Sequence, residues 1–400
     1  MTPVTEAPAA VKFAERINRI EPSATMAAAA EAEKLRQQGI EVVDLTAGEP
    51  HFNTPQHIKD AAIAAINNNF TRYTAVGGTL ELRDAIVNRH NADFGSDYKR
   101  EETIASTGGK HVLFNAIQVL VDHGDEVILP VPYWVSFKDI IRYAGGNCVL
   151  LETDEAQDFR ITAAMVERLV TPRTKLIILN SPSNPSGAVM SPEDQTAVVK
   201  MAAQRGIWVI SDECYVYLNY TGKNFSVGSL REYRDRLIVA GSLSKTYAMT
   251  GWRLGYALAA APVVSAMQKL QSQSTSNPTS IVQKAAVAAL NGPQQCVEDM
   301  GREYIQLRDH IVSGLRSIPG IQCTLPEGAF YAYPNVSVFF GRQGIKSASD
   351  LAGKLLREAH VATVSGEGFG TSNHVRISYA TSIKELDRGL DRMRKFLGSL

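Results

Sequence analysis

Residues 241–256 read GSLSKTYAMTGWRLGY. Lys245 stands among small hydroxyl residues, with Ser242 and Ser244 just before it, where the apolar run RLIVAGS (236–242) gives out. Arg253 follows, and a second apolar run, GYALAA (255–260), begins almost at once. Alone, a lysine in such a turn is a solvated surface residue. The reading changes if 236–242 is one strand of an open α/β sheet, because ligands in such sheets sit beyond the carboxyl ends of the strands.

Working outward, the chain supports such a sheet. EVILP (126–130), NCVLLE (147–152), KLIILN (175–180) and IWVIS (207–211) are short Val/Ile/Leu-rich runs bounded by turn residues, as buried strands are. Amphipathic stretches lie between them. One, SPEDQTAVVKMAAQRG (191–206), carries Ser191 as N-cap, Pro192 at the first helical position and Gly206 as its stop. The alternation predicts an α/β fold, a mostly parallel sheet flanked by helices. From about residue 299 a charged helical stretch precedes strand-like GAFYAYPNV (328–336) and HVRISYA (374–380), which predicts a smaller α+β unit. Near the start, helical TMAAAAEAEKLRQQG (25–39) and strand-like EVVDLTAGEP (41–50) have no partner close in sequence and are expected to pack on that unit. The expected division is an arm over 1–14, a small domain formed by 15–55 and 299–400 from both ends of the chain, and a large domain over 56–298.

Bulk properties narrow the function. The 400 residues hold 41 Lys plus Arg against 41 Asp plus Glu, so no global field favours nucleic acid or an anionic membrane, and any anion must be caught locally. Cys148, Cys214, Cys296 and Cys323 are scattered without a C-x-x-C or a histidine cluster, which argues against zinc and disulfides and for a reducing compartment. The opening MTPVTEAPAA lacks the basic and apolar regions of a signal peptide, and YALAAAPVVSAM (256–267) is too short to span a bilayer. A cytoplasmic protein is expected.

Polar residues cluster where the strands should end: Asn180 and Asn184 after KLIIL, Asp212, Glu213 and Tyr215 after IWVIS, Lys245 after RLIVAGS, and Gly108–Gly109 after ETIAST. Each has a plain structural reading. The glycines could be turn residues, Asp212 a cap, Asn184–Pro185 a turn signal and Trp134 a core aromatic. Cys214 lacks a histidine at useful spacing for a thiol nucleophile. GEGFG (366–370) reads as a loop, without the strand before and helix after that a dinucleotide fingerprint needs. One ligand accounts for the cluster together. Pyridoxal 5′-phosphate needs a lysine for its aldehyde, a carboxylate for its ring nitrogen, donors for its phenolic oxygen, a ring platform and a phosphate cradle. Lys245, Asp212, Asn184 with Tyr215, Trp134, and Gly109 with Ser242 and Arg253 match those needs.

At this point the chain resembles the class I pyridoxal-phosphate aminotransferases, in the bacterial and plant subgroup of aspartate and prephenate aminotransferases. The resemblance runs from PSATM (22–26) to HVRISYATS (374–382) through DLTAGEP, TRYTAVGG, TGGK, PYWVSF, NSPSNPSGAV, SDECY, SLSKTYAMTGWRLGY and GAFYAY. It implies the pyridoxal-phosphate transferase fold and a homodimer with shared active sites. It implies that Lys245 bonds the cofactor aldehyde, Asp212 pairs with the ring nitrogen, Asn184 and Tyr215 hold the phenolic oxygen, and Trp134 stacks on the ring. Gly108, Gly109, Lys110, Ser242, Ser244 and Arg253 belong to the phosphate side, with Tyr73 reaching it from the other subunit. Arg376 takes the substrate α-carboxylate beside Gly48. The stretch QSQSTSNPTS (271–280) has no basic residue where the animal-type enzymes place an arginine for the second carboxylate, and Lys110 with Thr25 occupies the subgroup's alternative position. The implied reaction is ping-pong transamination between aspartate and 2-oxoglutarate, with prephenate, or aromatic or neutral amino acids, as the alternative substrates. A lyase or decarboxylase on the same scaffold is the first rival. A cofactor-binding DNA regulator and a cofactor-free Schiff-base aldolase come behind it.

Overall fold

In the computed structural model, which describes residues 11–222 and 224–400, the apolar runs become strands almost residue for residue. The first ten residues of the expected arm lie outside the described residues. In chain order the strands are β1 (Val43–Asp44), β2 (Thr103–Ser106), β3 (Glu126–Val131), β4 (Asn147–Glu152), β5 (Thr174–Asn180), β6 (Trp208–Asp212), β7 (Leu237–Ser242), β8 (Gly255–Ala259), β9 (Tyr331–Ala332), β10 (Val361–Ala362), β11 (Val364–Ser365) and β12 (Val375–Ser378). Seven of them form one sheet in the order β2-β8-β7-β6-β5-β3-β4.

The continuous apolar runs have a physical reason: alternate side chains feed two different cores. Ile177, Leu179, Val209, Leu237, Val239 and Leu258 point into a core with the helices Gln56–Asn67, Leu80–Phe94, Pro192–Gln204 and Ser280–Asn291. Leu176, Ile178, Ile210, Ile238, Ala240, Ala257 and Ala259 point into the other, with Gly109–Leu120, Ser136–Ala144 and Ala261–Ser272. The cap reading at 191–206 holds: the Ser191 hydroxyl accepts from Asp194 N, Pro192 opens the helix, and Gly206 takes φ +71° just past its end.

The sheet is mostly parallel, as expected, with one strand reversed. β8 is antiparallel to both β7 and β2, while β3 to β7 are mutually parallel. The connection 243–254 carries the lysine turn rather than a crossover helix, so the chain comes straight back beside β7.

A third core joins the two ends of the chain. Met300, Tyr304, Leu307, Ile311 and Leu315 line one face of the helix Gln295–Arg316 and pack with Leu386 and Leu390 of Ile383–Leu397 and with Val43 and Leu45 from near the start. β1 lies parallel to β10, and β11-β12-β9 is a small antiparallel sheet. The strand-like segments here are shorter in the ladder than their sequences imply. EVVDLTAGEP and GAFYAYPNV each pair over only two residues, because their neighbours exchange single bonds with different elements, as Leu45 N does with Ala362 O (3.0 Å) and Ser378 N with Leu45 O (2.8 Å). GEGFG is a correction as well: a short strand, β11, does precede it, and Gly366–Phe369 is a 3₁₀ turn rather than a loop. Among the described residues no helix is long and apolar enough to cross a membrane, and all four cysteines are free thiols.

Candidate active site

Register brings the strand-end residues level. Asn180 pairs with Asp212 across β5 and β6, Asp212 pairs with Ala240 across β6 and β7, and Gly255 lies opposite both Ser242 and Ser106. Asn180 then stitches the next loop down: its amide donates to the Asp212 carbonyl (3.1 Å), and its oxygen accepts from Asn184 N (3.0 Å). Past β7 the chain makes a single helical turn, Leu243–Thr246, capped by the Ser242 hydroxyl accepting from Ser244 N (3.1 Å). That turn carries Lys245. Its amine donates to the Gly48 carbonyl, which brings in the N-terminal segment.

Next to this turn is a close backbone junction. The helix Gly109–Leu120 starts after Gly108 at φ +85°, and a Cβ at Gly108 would come within 2.5 Å of an Arg253 guanidinium nitrogen. A Cβ at Gly255 would strike Gly109 N at 2.4 Å. Arg253 is itself left-handed, φ +56°, a conformation that non-glycine residues adopt at a cost, and its guanidinium donates to Thr250 O (2.8 Å). Bare N–H groups at a helix start, the Ser242 hydroxyl and Arg253 together form a cradle for a multiply charged anion.

Three ionisable groups set the electrostatics. Asp212 is 7% exposed, and burial pushes its carboxyl up to about 7, against the Cys214 N–H bond (3.1 Å) and the nearby Lys245 charge, which hold it down. Burial holds the Lys245 ammonium below its usual range; Cys214 and Glu49 oppose this, while Arg253 and Arg376 add to it. Arg376, in β12, is 2% exposed. It donates to Asn184 Oδ1 (3.1 Å) and Thr46 O (2.7 Å) and lies 4.5 Å from the Tyr331 ring centre and 5.1 Å from that of Phe369. Its Nε has no partner, and among the described residues no carboxylate pairs with it. A buried guanidinium in that state is a site for an incoming carboxylate.

These groups line one cavity of about 250 Å³. It brings together Thr25, Gly48, Gly109, Lys110, Trp134, Asn184, Asp212, Tyr215, Ser242, Ser244, Lys245, Arg253 and Arg376. Gly108 lies one residue behind the lining. Tyr73 does not join it; its side chain is 91% exposed. Lys110 sits over the Trp134 ring, 5.1 Å from its centre. Cys214 lines the cavity too, but burial and then Asp212 push its thiol up to about 12, which leaves no thiolate for nucleophilic work. Among residues given no role from sequence, Ser23, Met26, Leu113, Val135, Ser136 and Tyr331 also face it. Tyr331 was signalled only by its place in GAFYAY. A second cavity, about 260 Å³ between Leu129, Phe159 and Asp194, contains no lysine and cannot bond an aldehyde.

Pyridoxal 5′-phosphate fits the first cavity on these observations. A lysine with a depressed pKa, a buried carboxyl without a strong cation partner, an anion cradle that admits no Cβ, and a buried guanidinium whose Nε has no partner all open on one space.

Comparison with known proteins agrees with this chemistry. Residues 40–393 match the family described as aminotransferase class I and II. The chain is 43% identical to an aspartate aminotransferase of Geobacillus stearothermophilus, over 97% of this chain and 99% of the relative. It is 41% identical to an aspartate/prephenate aminotransferase of Nitrosomonas europaea, covering 97% and 100%. In three dimensions it is similar to the aspartate aminotransferase of Rhizobium meliloti (TM-score 0.93, 40% identity, 97% and 99% covered). It is also similar to that of Thermus thermophilus with maleate (TM-score 0.92, 39% identity, 96% and 100% covered).

Proposed function

The chain belongs to the class I and II aminotransferases, pyridoxal-phosphate-dependent enzymes, and on that premise we propose that it transfers an amino group between L-aspartate and 2-oxoglutarate, with prephenate as a further keto-acid substrate. The observation that carries this reading is the shared cavity of Lys245, Asp212 and a buried Arg376 whose Nε has no partner.

Bound there, the cofactor supplies an aldehyde for covalent capture and a ring that accepts electrons from the substrate α-carbon. Everything else falls to the side chains. Lys245 holds the aldehyde at rest and, once displaced, carries a proton to and from the substrate α-carbon, a task that its lowered pKa suits. Asp212 is the counter-charge for a protonated ring nitrogen; a carboxyl that burial pushes to about 7 regains its ionised form beside a cation. Asn184 is oriented by Arg376, which occupies its Oδ1 and leaves Nδ2 as donor to the phenolic oxygen alongside Tyr215. Trp134 offers the ring platform, and Gly108, Gly109, Lys110 N, Ser242, Ser244 and Arg253 hold the phosphate. Arg376 grips the α-carboxylate with two nitrogens, beside Gly48. Lys110 and Thr25, at the mouth, receive the second carboxylate of a dicarboxylic substrate; the maleate that accompanies the Thermus thermophilus relative is a ligand of that kind.

On this reading the unit built from 15–55 and 299–400 closes over the body 56–298 and excludes water. The protein acts in the cytoplasm as a homodimer. The exposed apolar side chains of Tyr73, Ile63, Ile66 and Leu80 support contact with a second copy, with Tyr73 serving the neighbour's phosphate cradle. The test is amino transfer from glutamate to oxaloacetate and to prephenate by purified enzyme, repeated with Lys110→Ala. Loss of dicarboxylate turnover with neutral substrates spared supports the reading; equal activity in both proteins refutes the role of Lys110.

A further inference from the structure

We propose that Tyr331 is a positioning residue, the outer member of a two-hydroxyl relay that runs from Tyr331 through Tyr215 to the phenolic oxygen of the bound cofactor. The inference rests on the cofactor placement proposed above and adds a residue to it. The two hydroxyls lie 2.7 Å apart and both rings are buried. Neither phenol has another hydrogen-bond partner among the described residues that would compete for the shared proton. Phe330 walls Tyr215 edge-on, with ring centres 5.4 Å apart.

Which hydroxyl donates follows from the single O–H that each phenol carries. Burial raises both phenols above their usual range. Arg376, with its guanidinium 4.5 Å from the Tyr331 ring centre, works against that rise at both phenols. Cys214 faces both, as a neutral thiol. Lys245 is the remaining nearby charge, 6.0 Å from the Phe330 ring centre. Tyr215 has one O–H, and the cofactor placement above commits it to the phenolic oxygen, so the proton between the two hydroxyls comes from Tyr331. Tyr215 is then left with its own O–H to aim into the cavity. A hydroxyl that receives a hydrogen bond is the stronger donor to the next acceptor.

The strand pairing makes this a mechanical link too. Tyr331 lies in β9, hydrogen-bonded to β12, the strand that carries Arg376. Its hydroxyl also rests against Gly48, where a Cβ would come within 3.4 Å of it. The element that takes the substrate carboxylate therefore also conditions the donor to the cofactor's phenolic oxygen.

The test uses Tyr331→Phe, which removes the hydroxyl and keeps the ring under Arg376. A stronger donor at the phenolic oxygen loosens that oxygen's hold on the proton it shares with the Lys245 nitrogen. Weakening the donor raises the pH at which that proton leaves. In a spectrophotometric pH titration of cofactor-loaded enzyme, Tyr331→Phe is expected to shift the visible transition upward by roughly half a unit to one unit. In a Tyr215→Phe background the same substitution is expected to shift nothing further. A titration identical to the wild type's, or an equal shift in the Tyr215→Phe background, overturns the relay while leaving the cofactor placement intact. A wild-type protein with no visible cofactor band overturns both.

Discussion

Lys245 and Arg376 face the same cavity and are held in opposite ways. Lys245 follows a long buried strand, sits in a single helical turn, and has its charged form disfavoured by burial and by two nearby arginines. Arg376 sits inside a four-residue strand, braced by two acceptors and two aromatic rings. One cation is arranged to give up its proton during a cycle. The other is braced to keep still. On the proposed reading the difference teaches that the two halves of the cavity do different work: the strand ends of the large sheet would run the proton chemistry, and the small sheet would fix the substrate.

Substitutions can break that contrast in graded steps. Lys245→Ala is expected to lower turnover by roughly 10³-fold or more, since it removes both the covalent anchor and the proton carrier. Stopped-flow or steady-state rates at saturating substrate measure this, and a loss under tenfold would put the proton elsewhere. Arg376→Ala should cost roughly 10²–10³-fold in kcat/KM, mostly through KM, because the proposed partner of the substrate carboxylate is lost. An effect confined to kcat would make Arg376 part of the chemistry and erase the distinction drawn here.

Asp212 sharpens the contrast through pH. In cofactor-free protein its folded carboxyl titrates at about 7, against about 3.9 in an unfolded chain. The folded state thus binds the proton more tightly, is favoured below that window, and loses up to about 4 kcal/mol as pH rises through 7. Thermal melts at about pH 5 and about pH 8 should therefore fall further apart for the wild type than for Asp212→Asn, by an amount that follows from this linkage. Equal pH dependence in the two proteins would show that Asp212 is ionised without its counter-charge. The smallest effect expected is at Gly368. A Cβ there would come within 2.8 Å of the Ala24 Cβ, so Gly368→Ala should push Ser23 and Thr25 off the mouth of the cavity. A few-fold rise in KM for dicarboxylates with unchanged cofactor absorbance is the expected readout; unchanged KM would show that the mouth tolerates the shift.

The two halves were also unequally legible in the sequence. KLIILN, IWVIS and RLIVAGS are unbroken apolar runs because both faces of their strands are buried, so the polar residue after each run could be placed at a strand end. Lys245, Asp212 and Asn184 came from that logic. The small sheet offers no such signal. β9 pairs over two residues, and GAFYAYPNV has no period that singles out Tyr331. Arg376 was placed through resemblance rather than through spacing. The antiparallel return of β8 was hidden because strand direction is set by the connection, and 243–254 looks like a loop either way. Ser23, Met26 and Ser136 reach the cavity only because segments distant in sequence meet there, which no local pattern records.

The most direct test of the central claim is chemical. Purified enzyme loaded with pyridoxal 5′-phosphate is treated with borohydride, digested and mapped by mass spectrometry. The account predicts the reduced cofactor on the peptide that contains Lys245 and on no other lysine. Label at Lys110 or at a surface lysine, with the Lys245 peptide unmodified, would contradict it.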